Sequence, residues 1–276
     1  MPVITLLTDF GLTDTYVGQM KGVIADIAPD AQVIDLTHDV PAQNITAGAM
    51  MLDAAVDAFA PDAIHVAVVD PGVGGGRQAV AVRTSGGTFV GPDNGLFTAV
   101  LDRFDIIAAV RPSDPAYHRE SVSATFHGRD VFAPGAAHLA AGVALDALGE
   151  AVVRAALVRL DLPRPEPTAE GLVLHVVWID RFGNLLTDLD RESFARWWQQ
   201  TGGAGSGTIE LRVNDTRIVG VARTFSDVAE GEPVAYFGSS GRLEIAVRHG
   251  SAASRFNAAP GDVARLIAAT NSASDQ

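Results

Sequence analysis

Three short apolar runs, at residues 3–7, 32–36 and 63–69, alternate with two longer segments, 16–27 and 44–59, whose apolar side chains recur at helical spacing. Val17, Met20, Val23, Ile24 and Ile27 mark one face of the first of these segments. Strands that are apolar throughout are buried on both sides, and helices that return the chain between them supply the cover. The pattern predicts an α/β/α layered domain with a largely parallel sheet. Further along, residues 79–83 and 88–90 flank Ser85-Gly86-Gly87 and read as a hairpin. A helix over 95–103, a strand over 106–110 and an alanine-rich helix over 131–141 continue the domain.

The composition changes at Leu160-Asp161-Leu162-Pro163-Arg164-Pro165-Glu166-Pro167-Thr168, where three prolines hold the chain extended and out of any helix. We place a first domain at 1–162, a linker at 163–170 and a second domain at 171–276. Beyond the linker the predicted strands are 172–178, 208–213, 217–221, 234–237 and 243–247, with one helix over 191–200 and a disordered tail after 271. A smaller all-β, barrel-like domain fits that pattern. With 33 acidic against 20 basic residues, only one of the latter a lysine (Lys21), the chain repels polyanions, so neither nucleic acid nor an anionic membrane is an expected partner. There is no cysteine, which removes thiolate nucleophiles and thiolate metal sites. No uncharged apolar run reaches the length of a membrane span and the start has no basic leader region, so a cytoplasmic location is the expectation.

Chemistry concentrates at strand ends. Asp9 and Asp14 follow the first strand, at the sheet edge where open α/β sheets bind ligands. Asp70 ends the third strand and is followed by a glycine-rich turn and Arg77. His127 lies in Phe126-His127-Gly128-Arg129-Asp130. A carboxylate, a guanidinium and an imidazole together can hold and polarise one water molecule. The same residue types also suit a metal, so Asp9, Asp70, His127 and Asp130 keep a metal-dependent hydrolase of a nucleotide or sugar phosphate in view, although no His-x-His or His-Glu-x-x-His spacing supports it. Gly91-Pro92-Asp93-Asn94-Gly95 reads as a tight turn opening a helix. In the second domain, Asp180-Arg181-Phe182-Gly183-Asn184 reads as a hairpin turn whose aromatic ring and amide also suit a purine, and Ser239 lies in a turn of small residues.

Those segments in their order, from Leu7-Thr8-Asp9-Phe10-Gly11 to Ile179-Asp180-Arg181-Phe182-Gly183-Asn184, resemble the S-adenosyl-L-methionine (SAM) hydroxide adenosyltransferases, relatives of the SAM-dependent fluorinase and chlorinase. The resemblance runs over roughly residues 3 to 265. It implies attack of water or hydroxide on C5′ of SAM, giving adenosine and L-methionine, with SAM as substrate and no cofactor or metal. It also implies a homotrimer in which each active site combines the first domain of one subunit with the second of its neighbour. On this resemblance Asp70, Arg77 and His127 form the water-handling triad, and Asp9 holds the ribose hydroxyls. Asn184 reads the adenine edge with Phe182 against the base, while Asp14, Asp180 and Ser239 serve the methionine end. Several departures from the halogenating relatives favour water. Asp70 stands where they carry tyrosine, Gly128 where the fluorinase presents a serine to halide, and Val73 in place of a threonine; a carboxylate at position 70 repels halide. Ser240 replaces a fluorinase arginine, so the methionine carboxylate must be met differently. A non-catalytic SAM or adenosine sensor is the remaining alternative.

Overall fold

A computed structural model describes residues 1–201 and 208–269 and divides the chain into two compact units, Met1–Leu162 and Pro163–Gln276. The expected tail after residue 271 lies outside the described residues.

In the first unit the strands are β1 (Val3–Thr8), β2 (Gln32–Thr37), β3 (Ile64–Val68), β4 (Gln78–Thr84), β5 (Gly87–Asp93), β6 (Ile106–Pro112) and β7 (Gly149–Ala151). The helices are α1 (Tyr16–Ile27), α2 (Ile45–Val56), α3 (Thr98–Arg103) and α4 (Ala133–Ala140). One sheet runs in the order β2-β1-β3-β5-β4-β6-β7. β2, β1, β3 and β5 are mutually parallel, and the β4, β6 and β7 side is antiparallel, so the sheet is mixed. Helices α1 and α4 pack together on Ile4, Leu6, Val66 and Val68, while α2 packs with α3. The chain leaves β1 for β2 on one side and returns to β3 on the other. In open α/β sheets such a reversal is where ligands bind, at the carboxyl ends of the strands, here β1 and β3.

Two local predictions need correction. Gly91-Pro92-Asp93 is the end of β5 rather than a turn. Gly91 has no room for a side chain, since a Cβ would come within 2.2 Å of the Ala67 carbonyl oxygen, and this close approach is what lets β5 continue beside β3. The helix expected over 131–141 starts earlier, in a wide π turn over Gly128–Phe132, where the N–H of Ala133 donates to the Gly128 carbonyl.

The second unit holds β8 (Glu166–Pro167), β9 (Gly171–Ile179), β10 (Leu185–Asp190), β11 (Thr208–Val213), β12 (Thr216–Val219), β13 (Pro233–Phe237), β14 (Arg242–Val247) and β15 (Val263–Ala269), with α5 (Arg191–Gln200) and α6 (Ala252–Phe256). Its sheet is antiparallel in the order β12-β11-β15-β9-β10-β14-β13, with β8 alongside β9. Ala222, just past β12, bridges to Tyr236 in β13, which nearly closes the sheet into a barrel. Leu174, Leu185, Leu211, Leu243, Ile245 and Leu266 fill it. Asp190 caps α5 by accepting from the Ser193 N–H at 2.7 Å. Among the described residues no helix is long and apolar enough to cross a membrane.

A buried histidine in the first unit is expected to make this fold acid-sensitive. His65 in β3 is fully buried, stacks on Phe89 at 5.1 Å and lies 2.8 Å from Thr5 Oγ1 through Nδ1. Burial pushes its pKa down to about 4. As pH falls below the ordinary imidazole value of about 6.5, the unfolded chain takes up a proton that the folded chain refuses. His65 should therefore remove roughly 3 kcal/mol of stability by pH 4. Denaturant unfolding of the wild type and His65→Asn at pH 7 and pH 4 checks this. The wild type should lose more stability than the variant, and equal losses would exclude His65 as the source.

Candidate active site

Asp9 and Asp70 come together through strand register. β1 and β3 run parallel with Leu7 opposite Ala67 and Thr8 opposite Val68, and each aspartate follows its strand at the carboxyl end. Asn94, just past β5, donates from Nδ2 to the Val69 carbonyl at 2.8 Å and accepts from the Leu96 N–H at 3.2 Å through Oδ1. It thereby ties down the residue before Asp70.

The turn after Asp70 folds back so that Arg77 meets it. Arg77 Nε donates to Asp70 Oδ1 at 2.9 Å and Oδ2 at 2.8 Å, and Nη2 also donates to Oδ2. The Asp70 side chain is only 4% exposed and that of Arg77 11%, so this pair is largely shielded from water. The guanidinium lies 5.2 Å above the Phe132 ring, and its Nη2 is 2.9 Å from Nδ1 of His127. An arginine can only donate, so Nδ1 is the acceptor and the neutral ring carries its proton on Nε2. Burial, then the charge of Arg77, holds His127 below the ordinary imidazole range, partly offset by Asp70 and Asp130. His127 is thus a neutral hydrogen-bond donor whose basic nitrogen is occupied. Asp70 is the one member of the three equipped to accept a proton.

Gly74 joins the two segments that make this arrangement. Its φ is +75°, and a Cβ there would lie 2.3 Å from the carbonyl oxygen of Ala124, three residues before His127. Phe126, the residue before His127, joins Phe10 and Tyr16 in an edge-to-face trio with centroids 5.2 to 5.9 Å apart. The sequence reading missed this trio. Isolated aromatics in three separate segments carry no pattern, and only the fold brings them together. A Cβ on Gly128 would lie 3.3 Å from Met20 Sδ and from Phe10 Cε2, so a larger residue fits only if these neighbours give way.

Asp9 is half-buried and accepts from the Gln43 N–H at 2.8 Å through Oδ2, while Asp14 is exposed in the loop before α1. Asp130 is fully buried and committed elsewhere. Arg129 donates to it at 2.7 and 2.9 Å and the Ser123 N–H at 2.8 Å. Burial alone would raise the Asp130 pKa, but these donors and the nearby arginines hold it below the usual carboxylate range. Among the described residues no group of three or more His, Asp or Glu side chains gathers in a metal-holding arrangement. The set Asp9, Asp70, His127 and Asp130 is divided between two arginine pairs and a backbone contact.

In the second unit Asp180 organises the β9–β10 turn. Its Oδ1 accepts from the N–H groups of Phe182 at 2.9 Å and Asn184 at 2.8 Å, and its Oδ2 from Asn184 Nδ2 at 2.9 Å. The Asn184 amide is therefore held in one orientation, and Phe182 stands 76% exposed at the tip. Ser239 is exposed in the β13–β14 turn. Between these turns lies Glu244, which the sequence reading did not single out because Glu in a strand carries no signature. Glu244 is buried, accepts from the Tyr236 hydroxyl at 2.8 Å, and would be 1.7 Å from a Cβ on Gly238. Burial raises its pKa, the Tyr236 hydroxyl opposes that, and the charge of Asp180 adds to it.

Comparison with known proteins identifies the family. Residues 4–149 match the SAM hydroxide adenosyltransferase N-terminal domain, and residues 174–265 match the C-terminal domain. The chain belongs to the SAM hydroxide adenosyltransferase family. A relative from Salinispora tropica, an (R)-S-adenosyl-L-methionine hydrolase, is 40% identical over 97% of this chain and 98% of its own length. A fluorinase from Nocardia brasiliensis is 29% identical over 93% of each chain. The crystal structure of a conserved protein from Thermotoga maritima superposes with a TM-score of 0.87 at 33% identity, covering 96% of this chain and 99% of that one.

The close approach at Gly74 gives a test of the arrangement. Gly74→Ala should separate the Asp70 turn from the segment carrying His127, cost about 2 kcal/mol of stability, and lower turnover more than tenfold in this family's reaction. Turnover near the wild-type rate, measured by product formation below the variant's melting temperature, would show that the contact does not set the triad.

Proposed function

We propose that the protein hydrolyses SAM by substitution at C5′ of the ribose, releasing adenosine and L-methionine. The observation that carries this reading is the shielded Asp70–Arg77–His127 arrangement beside Asp9, in a chain 40% identical to a hydrolase over nearly its full length. The sulfonium leaves as a neutral thioether, so no departing anion needs stabilising and no cofactor or metal enters the scheme. What remains is to supply an oxygen nucleophile in line with the C5′–S bond. The water oxygen bonds to C5′ as the C–S electron pair returns to sulfur, and one proton is lost.

Asp70 takes that proton. Transfer from free water to a carboxylate is steeply uphill, but the attacking oxygen becomes acidic as its bond to carbon forms. Transfer late on the path therefore costs least. Arg77 holds the carboxylate in place, and His127, with its proton on Nε2, donates to the oxygen and orients it. Such general-base assistance is worth about 10²- to 10⁴-fold in rate. The step discharges the Asp70 carboxylate and the sulfonium together, so a dry site assists it.

Asp9 takes the ribose hydroxyls, and Phe182 and Asn184 the adenine. Asp14, Asp180 and Ser239 take the methionine end. Asp180 has a double part, since the carboxylate that builds the turn also presents negative charge. A homotrimer in which neighbouring subunits contribute the two sets of residues would both complete and dry the site.

Incubation with SAM in H₂¹⁸O containing chloride, followed by mass spectrometry, tests the scheme. Adenosine labelled at its 5′ oxygen, with equimolar methionine, is expected; a 5′-chlorinated nucleoside or intact SAM would overturn it. Asp70→Asn should bind SAM and turn over about 10²- to 10⁴-fold more slowly. Adenosine formation at the wild-type rate would remove Asp70 from the mechanism.

A further inference from the structure

We propose that His38 is the positioning residue for Asp9, and that it sets affinity for the nucleoside through the ribose hydroxyls alone. This rests on the reading of Asp9 as the ribose-binding carboxylate.

Asp9 lies in a short bend after β1 that includes Gly11 at φ +67°. One segment, residues 38–43, holds that bend at several points. The Gly11 N–H donates to the His38 carbonyl at 2.8 Å, and the Val40 N–H donates to the Thr8 carbonyl at 3.3 Å. The Gln43 N–H donates to Asp9 Oδ2 at 2.8 Å. Gln43 has a φ of 63°, a left-handed backbone that an L side chain adopts at a cost, and that backbone accompanies the contact with Asp9. Oδ1 of Asp9 accepts no hydrogen bond from the described residues, which leaves it available to a diol.

The side chain of His38 is the hub of this clasp. It is 3% exposed, and its Nδ1 lies 2.9 Å from Oγ1 of the fully buried Thr8. Nε2 lies 3.1 Å from Asp35 Oδ1, outside ideal hydrogen-bond alignment, and Asp35 Oδ2 accepts from Lys21 Nζ at 2.6 Å. Burial would raise the Asp35 pKa, but Lys21 and His38 hold it below the ordinary range. A carboxylate only accepts, so the His38 proton belongs on Nε2 and Nδ1 accepts from the Thr8 hydroxyl. A lone pair of the hydroxyl is then available to the Phe10 N–H, 3.2 Å away. The hydrogen bonds run in one direction, from the backbone beside Asp9 through Thr8 and His38, with Asp35 and the chain's single lysine at the far end. A buried Thr–His pair is costly if broken and orienting when complete. His38 therefore grips both ends of the bend, Thr8 by its ring and Gly11 by its carbonyl.

Such a residue should matter for ligands that use Asp9 and not for ligands that do not. Binding of adenosine and of 2′,3′-dideoxyadenosine is measured by isothermal titration to the wild type, His38→Leu and His38→Asn, with melting temperatures recorded in parallel. The wild type should prefer adenosine. His38→Leu should weaken adenosine binding tenfold or more and leave the dideoxynucleoside within twofold of wild type. His38→Asn keeps an amide close to the Nδ1 position and should recover adenosine affinity to within threefold. For SAM, KM should rise in His38→Leu while kcat changes less than threefold. Equal weakening of both nucleosides would reduce His38 to a structural residue and overturn the proposal, as would unchanged adenosine binding in His38→Leu. A wild type that does not distinguish the two nucleosides would overturn the role of Asp9 itself. If His38→Leu does not fold, His38→Gln, whose amide reaches toward Nε2 rather than Nδ1, should show the same selective loss, and an equal loss for both nucleosides there would overturn the proposal.

Discussion

Everything at the candidate centre depends on Arg77, whose guanidinium is divided between a carboxylate and an imidazole. Its Nε and Nη2 engage Asp70, and Nη2 also reaches His127 Nδ1. This single donor assigns two roles. By occupying the basic nitrogen of His127 it leaves the ring as a donor, and by bridging it sets the separation between carboxylate and ring. A lysine at the same place, a point charge without the planar fork, would supply the charge but not the geometry. The rest of the first unit serves that bridge. Phe132 underlies the guanidinium, Asn94 holds the strand end before Asp70, and Gly74 lets the two loops touch.

The second unit applies the same economy to a turn. Asp180 accepts three hydrogen bonds from Phe182 and Asn184, so the residue that shapes the loop also carries its charge. Glu244 lies close enough for the two carboxylates to feel one another, and Tyr236 donates to it. Two carboxylates and exposed Ser239 are chemically suited to an ammonium group. Only the Ser239 hydroxyl, as a donor, also suits a carboxylate, and the resemblance implies that Ser240 stands where the fluorinase has arginine. On the proposed scheme the amino acid end of the substrate would be met here mainly through its positive charge.

Periodicity made much of the first unit legible, because β1, β3 and β5 are buried on both faces and helix α1 carries one clear apolar stripe. The helix Tyr16–Ile27 was placed to the residue for that reason. Polar residues in structural service hid the rest. β10 was missed because Asp188 interrupts Leu185-Leu186-Thr187-Asp188-Leu189-Asp190. That aspartate is buried, and it accepts from the N–H of His175 at 3.0 Å and pairs with its ring at 2.7 Å. A buried carboxylate with a partner far along the chain looks like a loop residue until the partner is known. α6 spans only five residues, and β15 has Arg265 and several alanines among its apolar side chains, so tertiary packing rather than local pattern defines them. At the site, Asp70, Arg77 and His127 stood out as residue types. Phe10, Tyr16, Phe126, Glu244 and His38 did not, since their positions depend on contacts that no local pattern encodes.

Acidity at the site also bears on the choice of nucleophile. A halide must give up its hydration shell to attack carbon, and it needs donors with no nearby negative charge to repay that loss. The Asp70 side chain lies almost entirely out of solvent, and Arg77, the neighbouring cation, is already committed to it. A halide placed there would face a carboxylate whose neighbouring guanidinium, Arg77, is already engaged by it. Water has the opposite requirement, because it must lose a proton as it bonds and so gains from an acceptor at hand. At Gly128, where the fluorinase presents a serine hydroxyl, a Cβ would already press on Met20 and Phe10. Restoring that donor would require the aromatic neighbours to move, and the carboxylate would still repel the ion. On the proposed scheme, charge at Asp70 and packing at Gly128 would together favour water over halide, and neither substitution alone is expected to reverse that preference.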